Sequence, residues 1–275
     1  MTNRNDVHAI VDAVATALGA PAVLDRVLPG GTHATTVVVT CRGRSLVARR
    51  FPLGDDAARR ECAAHPTLAR LGTLVPRLVA IGGTQARPVI ITTVVPGTPP
   101  SPDLPVAAIA AGMARTLARI HGLSGAGLRL QPVGPGMGDG PLARRARAEF
   151  EDLNTSHRVL THLDFWCGNV LWDSSDVAGV VDWSGACSAP RGVDLAWCRQ
   201  DLVLLGDPDA AELFLREYQR LSGVTVTDIG AWDVQAAARA EDRVETWAPN
   251  YLGIGRSDGT AETLRARLDA WNATL

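Results

Sequence analysis

Residues 159–194, VLTHLDFWCGNVLWDSSDVAGVVDWSGACSAPRGVD, decide how this chain is read. His162, Asp164 and Asn169 stand in the order H-x-D-x-x-x-x-N, and Asp182 follows an apolar hairpin. A strand over residues 157–161 delivers the chain to a loop from which Asp164 projects into a cleft. There a carboxylate accepts the proton of an incoming hydroxyl and orients its oxygen for attack. Residues 169–172 and 177–181 read as two strands about the turn-rich Asp173-Ser174-Ser175-Asp176. Such a hairpin returns Asp182 to the side of Asn169, where an amide oxygen and a carboxylate can share one Mg²⁺. That ion takes few protein ligands and draws the rest from phosphates and water. His162 is expected to brace the loop backbone rather than act as the base.

The segments HLDFWCGN, DWSG and PRGVDLAW resemble the aminoglycoside phosphotransferase and choline-kinase-like superfamily, small-molecule relatives of the protein kinases. That family commonly reads HGDxxxxN, D-W-x-x and P-x-x-D-L-A, so Leu163 departs from it where glycine is usual. The resemblance implies an α+β, bilobal protein-kinase-like fold. Its N-lobe would be an antiparallel sheet plus a helix, its C-lobe mostly helical with a catalytic hairpin. It also implies Mg²⁺-dependent transfer of a phosphoryl group from ATP or GTP to the hydroxyl of a small molecule. In that reaction Asp164 is the base, Asn169 and Asp182 are metal ligands, and Asp194 caps its helix and supports the catalytic loop.

The N-terminal third is consistent with that expectation. A helix over residues 6–18 precedes strands over 23–28, 34–41 and 45–51, with Gly30-Gly31-Thr32 between the first two. Backbone N–H groups of Gly30 and Gly31 are suited to lie over phosphates. A Walker A loop is excluded, because it needs a lysine and all 27 basic side chains here are arginine. The phosphate-gripping cation of the third strand is therefore Arg49 or Arg50. The family's V-L-R segment favours Arg49. Strand alternation favours Arg50, which shares a face with Ala48. Glu61, on a helix over residues 55–71 that Pro66 breaks or bends, is the carboxylate expected to restrain that arginine. Strands over 77–81 and 88–95 lead to Pro96-Gly97-Thr98-Pro99-Pro100, a hinge at which backbone groups of Thr93 and Val95 would meet the base of the nucleotide. The expected organisation is 1–95 N-lobe, 96–100 hinge and 101–275 C-lobe.

Helices are expected over residues 106–121, 141–153, 194–205, 208–221, 231–247 and 260–271. Only a short connection separates Asp182 from Asp194, too short for the activation segment on which a protein kinase docks a polypeptide. Residues 199–275 carry 13 acidic side chains against 8 arginines, which suits a cationic acceptor or an ordinary acidic surface. Trp232, Trp247 and Trp271 offer either an aromatic wall for a substrate or helix core.

A chain of 275 residues, 46% hydrophobic, can bury a sizeable core. Its net charge of −2 gives no sign of a nucleic-acid-binding surface. No apolar run approaches the ~20 residues of a membrane span. The leading MTNRNDVHAI lacks the basic and apolar regions of a signal peptide. Five cysteines without a paired C-x-x-C read as reduced thiols, and a cytoplasmic location is expected. Oligomeric state is left open. The alternative reading is a catalytically silent nucleotide-binding protein of the same fold, suggested by Leu163, the glycine-poor phosphate loop and the missing lysine.

Overall fold

The computed structural model describes residues 4–28, 34–134 and 138–275; the expected contributors Gly30 and Gly31 lie outside them. The chain divides into two compact units, Met1–Val95 and Pro96–Leu275.

The first unit is built on a five-stranded antiparallel sheet in the order β1-β2-β3-β5-β4. Its strands are β1 (Ala22–Val27), β2 (Thr35–Cys41), β3 (Arg44–Arg50), β4 (Leu78–Thr84) and β5 (Arg87–Thr93). Alternation along the central strands sorts their side chains between two helices. Val37, Val39, Leu46, Ala48, Val89 and Ile91 pack with Val7, Ile10 and Val14 of α1 (Arg4–Leu18). On the other face, Ile90 meets Ala57 and Ala58 of α2 (Ala57–Leu68), together with Phe51. Pro66 is accommodated inside α2, and a 3-10 turn over Ala69–Leu74 carries the chain on to β4.

This alternation separates the two arginines. Arg50 lies on the Ala48 face and pairs with Asp6 of α1 at 3.2 Å. Arg49 lies on the α2 face and pairs with Glu61 at 2.9 Å, both side chains being buried.

The second unit holds α3 (Val106–His121) and α4 (Pro141–Ala148), followed by four short strands in two ladders. β6 (Arg158–Thr161) pairs with β9 (Cys187–Pro190), and β7 (Val170–Asp173) pairs with β8 (Asp176–Val180). Helices α5 (Gly192–Leu204), α6 (Pro208–Ser222), α7 (Ile229–Ala240), α8 (Ala248–Gly253) and α9 (Ala261–Asn272) complete it. Gly97 adopts φ 98, and its Cα passes so near the Trp172 carbonyl that a Cβ would stand 2.7 Å from that oxygen. This lets Thr98 exchange both backbone hydrogen bonds with Trp172 and tie the start of the unit to the β7–β8 hairpin.

Elements that differ from the sequence expectations include the helix expected over 141–153, which stops at Ala148. The connection between Asp182 and Asp194 contains β9, a buried strand whose Ala189 and Cys187 stand opposite Val159 and Thr161. The helix expected over 231–247 stops at Ala240. The chain turns there, and a separate α8 starts with Pro249 in its first turn, a position where proline favours initiation. The turn carries Glu241 to α4, where its carboxylate accepts from the N–H groups of Leu142 and Ala143. No helix among the described residues is long and apolar enough to cross a membrane. The five cysteines are unpaired.

Candidate active site

The loop between β6 and β7 carries His162, Asp164 and Asn169, and Asp182 stands two residues after the end of β8. Asn169 places its amide N–H groups on Asp164, donating to the backbone carbonyl and to Oδ2, each at 2.9 Å. The Asn169 backbone carbonyl accepts from the Val181 N–H at 2.9 Å, which brings the residue before Asp182 alongside Asn169. With the amide nitrogen turned to Asp164, the Asn169 Oδ1 is directed away from that carboxylate. Asp182 takes a left-handed conformation, φ 62, and accepts from the Ser184 hydroxyl at 2.8 Å. Asp164 opens to solvent but is ringed by protein mass. That desolvation raises its carboxyl pKa, and the Asp182 carboxylate adds to the effect. His162, Asn169 and the Trp197 indole N–H act in the opposite direction.

Two carboxylates of α5, one helical face and two turns apart, fasten the ends of this loop. Asp194, fully buried, accepts from the backbone N–H of His162 at 2.7 Å and of Leu163 at 2.8 Å. It does not cap its helix: it lies in the first turn, and Arg191 occupies the cap position without a side-chain bond. The His121 Nε2–H also donates to Asp194 at 3.2 Å, and His121 Nδ1 accepts from the Tyr218 hydroxyl at 2.8 Å. Burial lowers the His121 pKa, so the ring is a neutral relay in this chain. Asp201 holds the far end, accepting from the Cys167 N–H at 2.7 Å and the Tyr251 hydroxyl at 2.8 Å.

His162 is structural in this geometry. Its Nε2–H donates to the Val181 carbonyl at 2.9 Å, and Nδ1 accepts from the Asp164 N–H at 3.3 Å. Trp183 packs against the imidazole with centroids 4.6 Å apart and bonds the Val180 carbonyl through its indole N–H. In the first unit, Thr93 donates its N–H to the Arg77 carbonyl. Val95 is buried and makes no backbone hydrogen bond among the described residues.

Leu163 is the backbone departure inside the motif. It sits at φ 67, a left-handed conformation that costs a leucine about 1–2 kcal/mol and glycine almost nothing. The chain thus keeps a glycine-type turn with a leucine in it, held by the Asp194 bond to the Leu163 N–H. Cutting a half-buried leucine to glycine ordinarily loses about 1–2 kcal/mol of burial. Relief of the left-handed strain offsets that loss here. Leu163→Gly is therefore expected to remain within about 1 kcal/mol of the parent stability in a urea titration, while Leu163→Val, β-branched in the same turn, falls further.

The sequence pattern of the phosphotransferase enzyme family matches this chain over residues 26–150 and 128–234. The chain belongs to the phosphotransferase enzyme family. Solved structures share the phosphotransferase's fold at low identity. An aminoglycoside-3'-phosphotransferase of type VIII is 24% identical with TM-score 0.61, covering 83% of this chain and 98% of its own. A thermostable mutant of aminoglycoside phosphotransferase APH(4)-Ia, in ternary complex with ADP and hygromycin B, is 17% identical with TM-score 0.62, covering 95% and 97%. The macrolide 2'-phosphotransferase MphH from Brachybacterium faecium is 16% identical with TM-score 0.63, covering 94% and 97%. A comparison with curated proteins returns no match.

Asp201, Tyr251 and Trp197 adjoin the candidate site and were not singled out in the sequence. The signal for Asp201 was its spacing of seven from Asp194 on a helix. Burial pushes the Asp201 carboxyl up to about 6 from its ordinary 3.8. A folded-state pKa above the unfolded one means that Asp201 contributes most stability below about 3.8, and that this is lost as pH rises through about 6. The difference in Tm between the parent and Asp201→Asn should therefore shift toward the parent as pH falls from 7 to 4. A pH-independent difference contradicts the assignment.

Of the three tryptophans offered as a wall, Trp232 and Trp271 are buried in the core. Trp247 is half-buried and stands edge-on to Trp197, centroids 5.3 Å apart.

Proposed function

We propose that this protein transfers the γ-phosphoryl group of ATP or GTP to a hydroxyl of a small molecule, with Asp164 as the base. The observation that carries the reading is the Asn169 amide bridging the Asp164 carbonyl and carboxylate inside a loop pinned by Asp194. This fixes one carboxylate oxygen and leaves the other for an acceptor hydroxyl. Asp164 takes the hydroxyl proton as the alcohol oxygen bonds the γ-phosphorus. The bond to the β–γ bridging oxygen breaks, and the nucleoside diphosphate leaves with that electron pair.

The donor set fits Mg²⁺: an amide oxygen directed away from Asp164 and a carboxylate on the adjoining turn, both hard oxygen donors. Asn169 and Asp182 would hold the ion, which supplies charge neutralisation for the phosphates. Arg49, restrained by Glu61 and by the Phe51 ring 5.0 Å from its guanidinium, is the proposed phosphate grip. Arg50 is left out of that role by its pairing with Asp6 on the opposite face of the sheet. Val95 is the proposed backbone contact for the base of the nucleotide.

Radiolabelled MgATP and MgGTP offered with a panel of hydroxylated amines, sugars, acids and antibiotics test the reading. Label should move to at least one alcohol from at least one nucleotide. Binding of both nucleotides with neither transfer nor background hydrolysis would instead identify a silent nucleotide-binding protein.

A further inference from the structure

The chemistry beside Asp164 in the second unit describes an acceptor. Trp197, half-buried on α5, is among the side chains that act on the Asp164 carboxylate. Arg239 of α7 lies over the Trp197 ring with its guanidinium carbon 4.7 Å from the centroid. Trp247 closes on the same indole from the edge. Arg239 is exposed, as Asp164 is. Asp164 is among the opposite charges that act on Arg239, and Arg243 is the neighbouring like charge.

Much of the acidic excess of the C-terminal residues is engaged by partners inside the protein. Asp233 pairs with Arg199 at 3.0 Å, and Glu245 pairs with Arg265 at 2.6 Å. Glu241 caps α4, and Asp201 holds the Cys167 N–H and the Tyr251 hydroxyl. A charge presented there is the guanidinium over the Trp197 ring, with Trp247 edge-on to that indole. A polycationic aminosugar would meet like charge there. A carboxylate would meet a planar fork of donors, and an apolar body would meet aromatic faces.

We propose that the acceptor is an anionic alcohol, a hydroxylated carboxylic acid whose carboxylate is received by Arg239 and whose apolar body lies on Trp197 and Trp247. This rests on the assignment of Asp164 as base. The alcohol oxygen takes the γ-phosphoryl group, its proton goes to Asp164, and the products are a phosphate monoester and the nucleoside diphosphate.

Three matched probes test it: 4-(hydroxymethyl)benzoate, benzyl alcohol and 4-(hydroxymethyl)benzylamine. Each is measured for binding by titration calorimetry with MgADP present and for phosphoryl transfer from MgATP. The benzoate should bind at least about tenfold tighter than the amine. Arg239→Gln should remove that preference and leave benzyl alcohol within about twofold, and Arg239→Lys should keep part of it, with melting curves confirming the fold of both variants. Equal or tighter binding of the amine overturns the proposal. So does an Arg239→Gln change that falls on all three probes alike, or no benzoate binding at millimolar concentration. A benzoate preference in binding without transfer to any probe supports the Arg239 site and counts instead against the phosphoryl-transfer reading.

Discussion

Replacing Asp164 by alanine is expected to lower kcat for phosphoryl transfer by at least about a thousandfold while nucleotide affinity stays within about twofold. Two effects combine. The proton acceptor is lost, and so is the Oδ2 that receives the Asn169 amide at 2.9 Å and fixes where the acceptor oxygen stands. Nothing else on the loop replaces the base: the His162 Nε2–H is bonded to the Val181 carbonyl, and Nδ1 accepts from the Asp164 N–H. Single-turnover rates with saturating MgATP, beside calorimetric titration of the nucleotide, separate the chemical step from binding. A kcat within about tenfold of the parent would remove Asp164 from the chemistry.

Asp194→Asn is expected to produce the largest loss of stability and, with it, of activity. The parent carboxylate is fully buried and accepts from three donors: two backbone N–H groups of the catalytic loop and the His121 ring. An asparagine keeps one acceptor and turns an N–H group toward donors, leaving buried polar groups unsatisfied. The expected cost is about 3 kcal/mol, or roughly 6–12 °C in Tm for a domain of this size. Loosening of His162 and Leu163 also displaces Asp164, so kcat should fall about a hundredfold even at a temperature where the variant is folded. A variant with lowered Tm and parental kcat would show that Asp194 supports the fold without positioning the base.

The helix, strand and loop order of this phosphotransferase was largely legible, because apolar periodicity switches cleanly between two and 3.6 along the chain. The motif was legible for a related reason. Asp164, Asn169 and Asp182 interrupt apolar strands at points where a hairpin returns the chain to itself. What was not legible depended on contacts between distant segments. β9 is too short and too rich in serine and proline to read as a strand until Arg158–Thr161 stands beside it. The break after Ala240 follows from Glu241 serving α4, which lies 98 and 99 residues earlier in the chain. The different partners of Arg49 and Arg50 depended on which helix covers which face of the sheet, since alternation alone says only that the two diverge. Leu163 in a left-handed turn is invisible to hydrophobic pattern. The charge count of the C-terminal residues could not separate an ordinary surface from a site, because most of those carboxylates serve internal partners such as Arg199 and Arg265.

The most direct measurement is anomalous diffraction from crystals grown with Mn²⁺ and a non-hydrolysable nucleotide. The account predicts a manganese peak within about 2.3 Å of both the Asn169 Oδ1 and an Asp182 carboxylate oxygen, with phosphate oxygens completing the shell and Asp164 facing the γ-phosphate. A fully occupied nucleotide whose metal touches neither Asn169 nor Asp182 would contradict it.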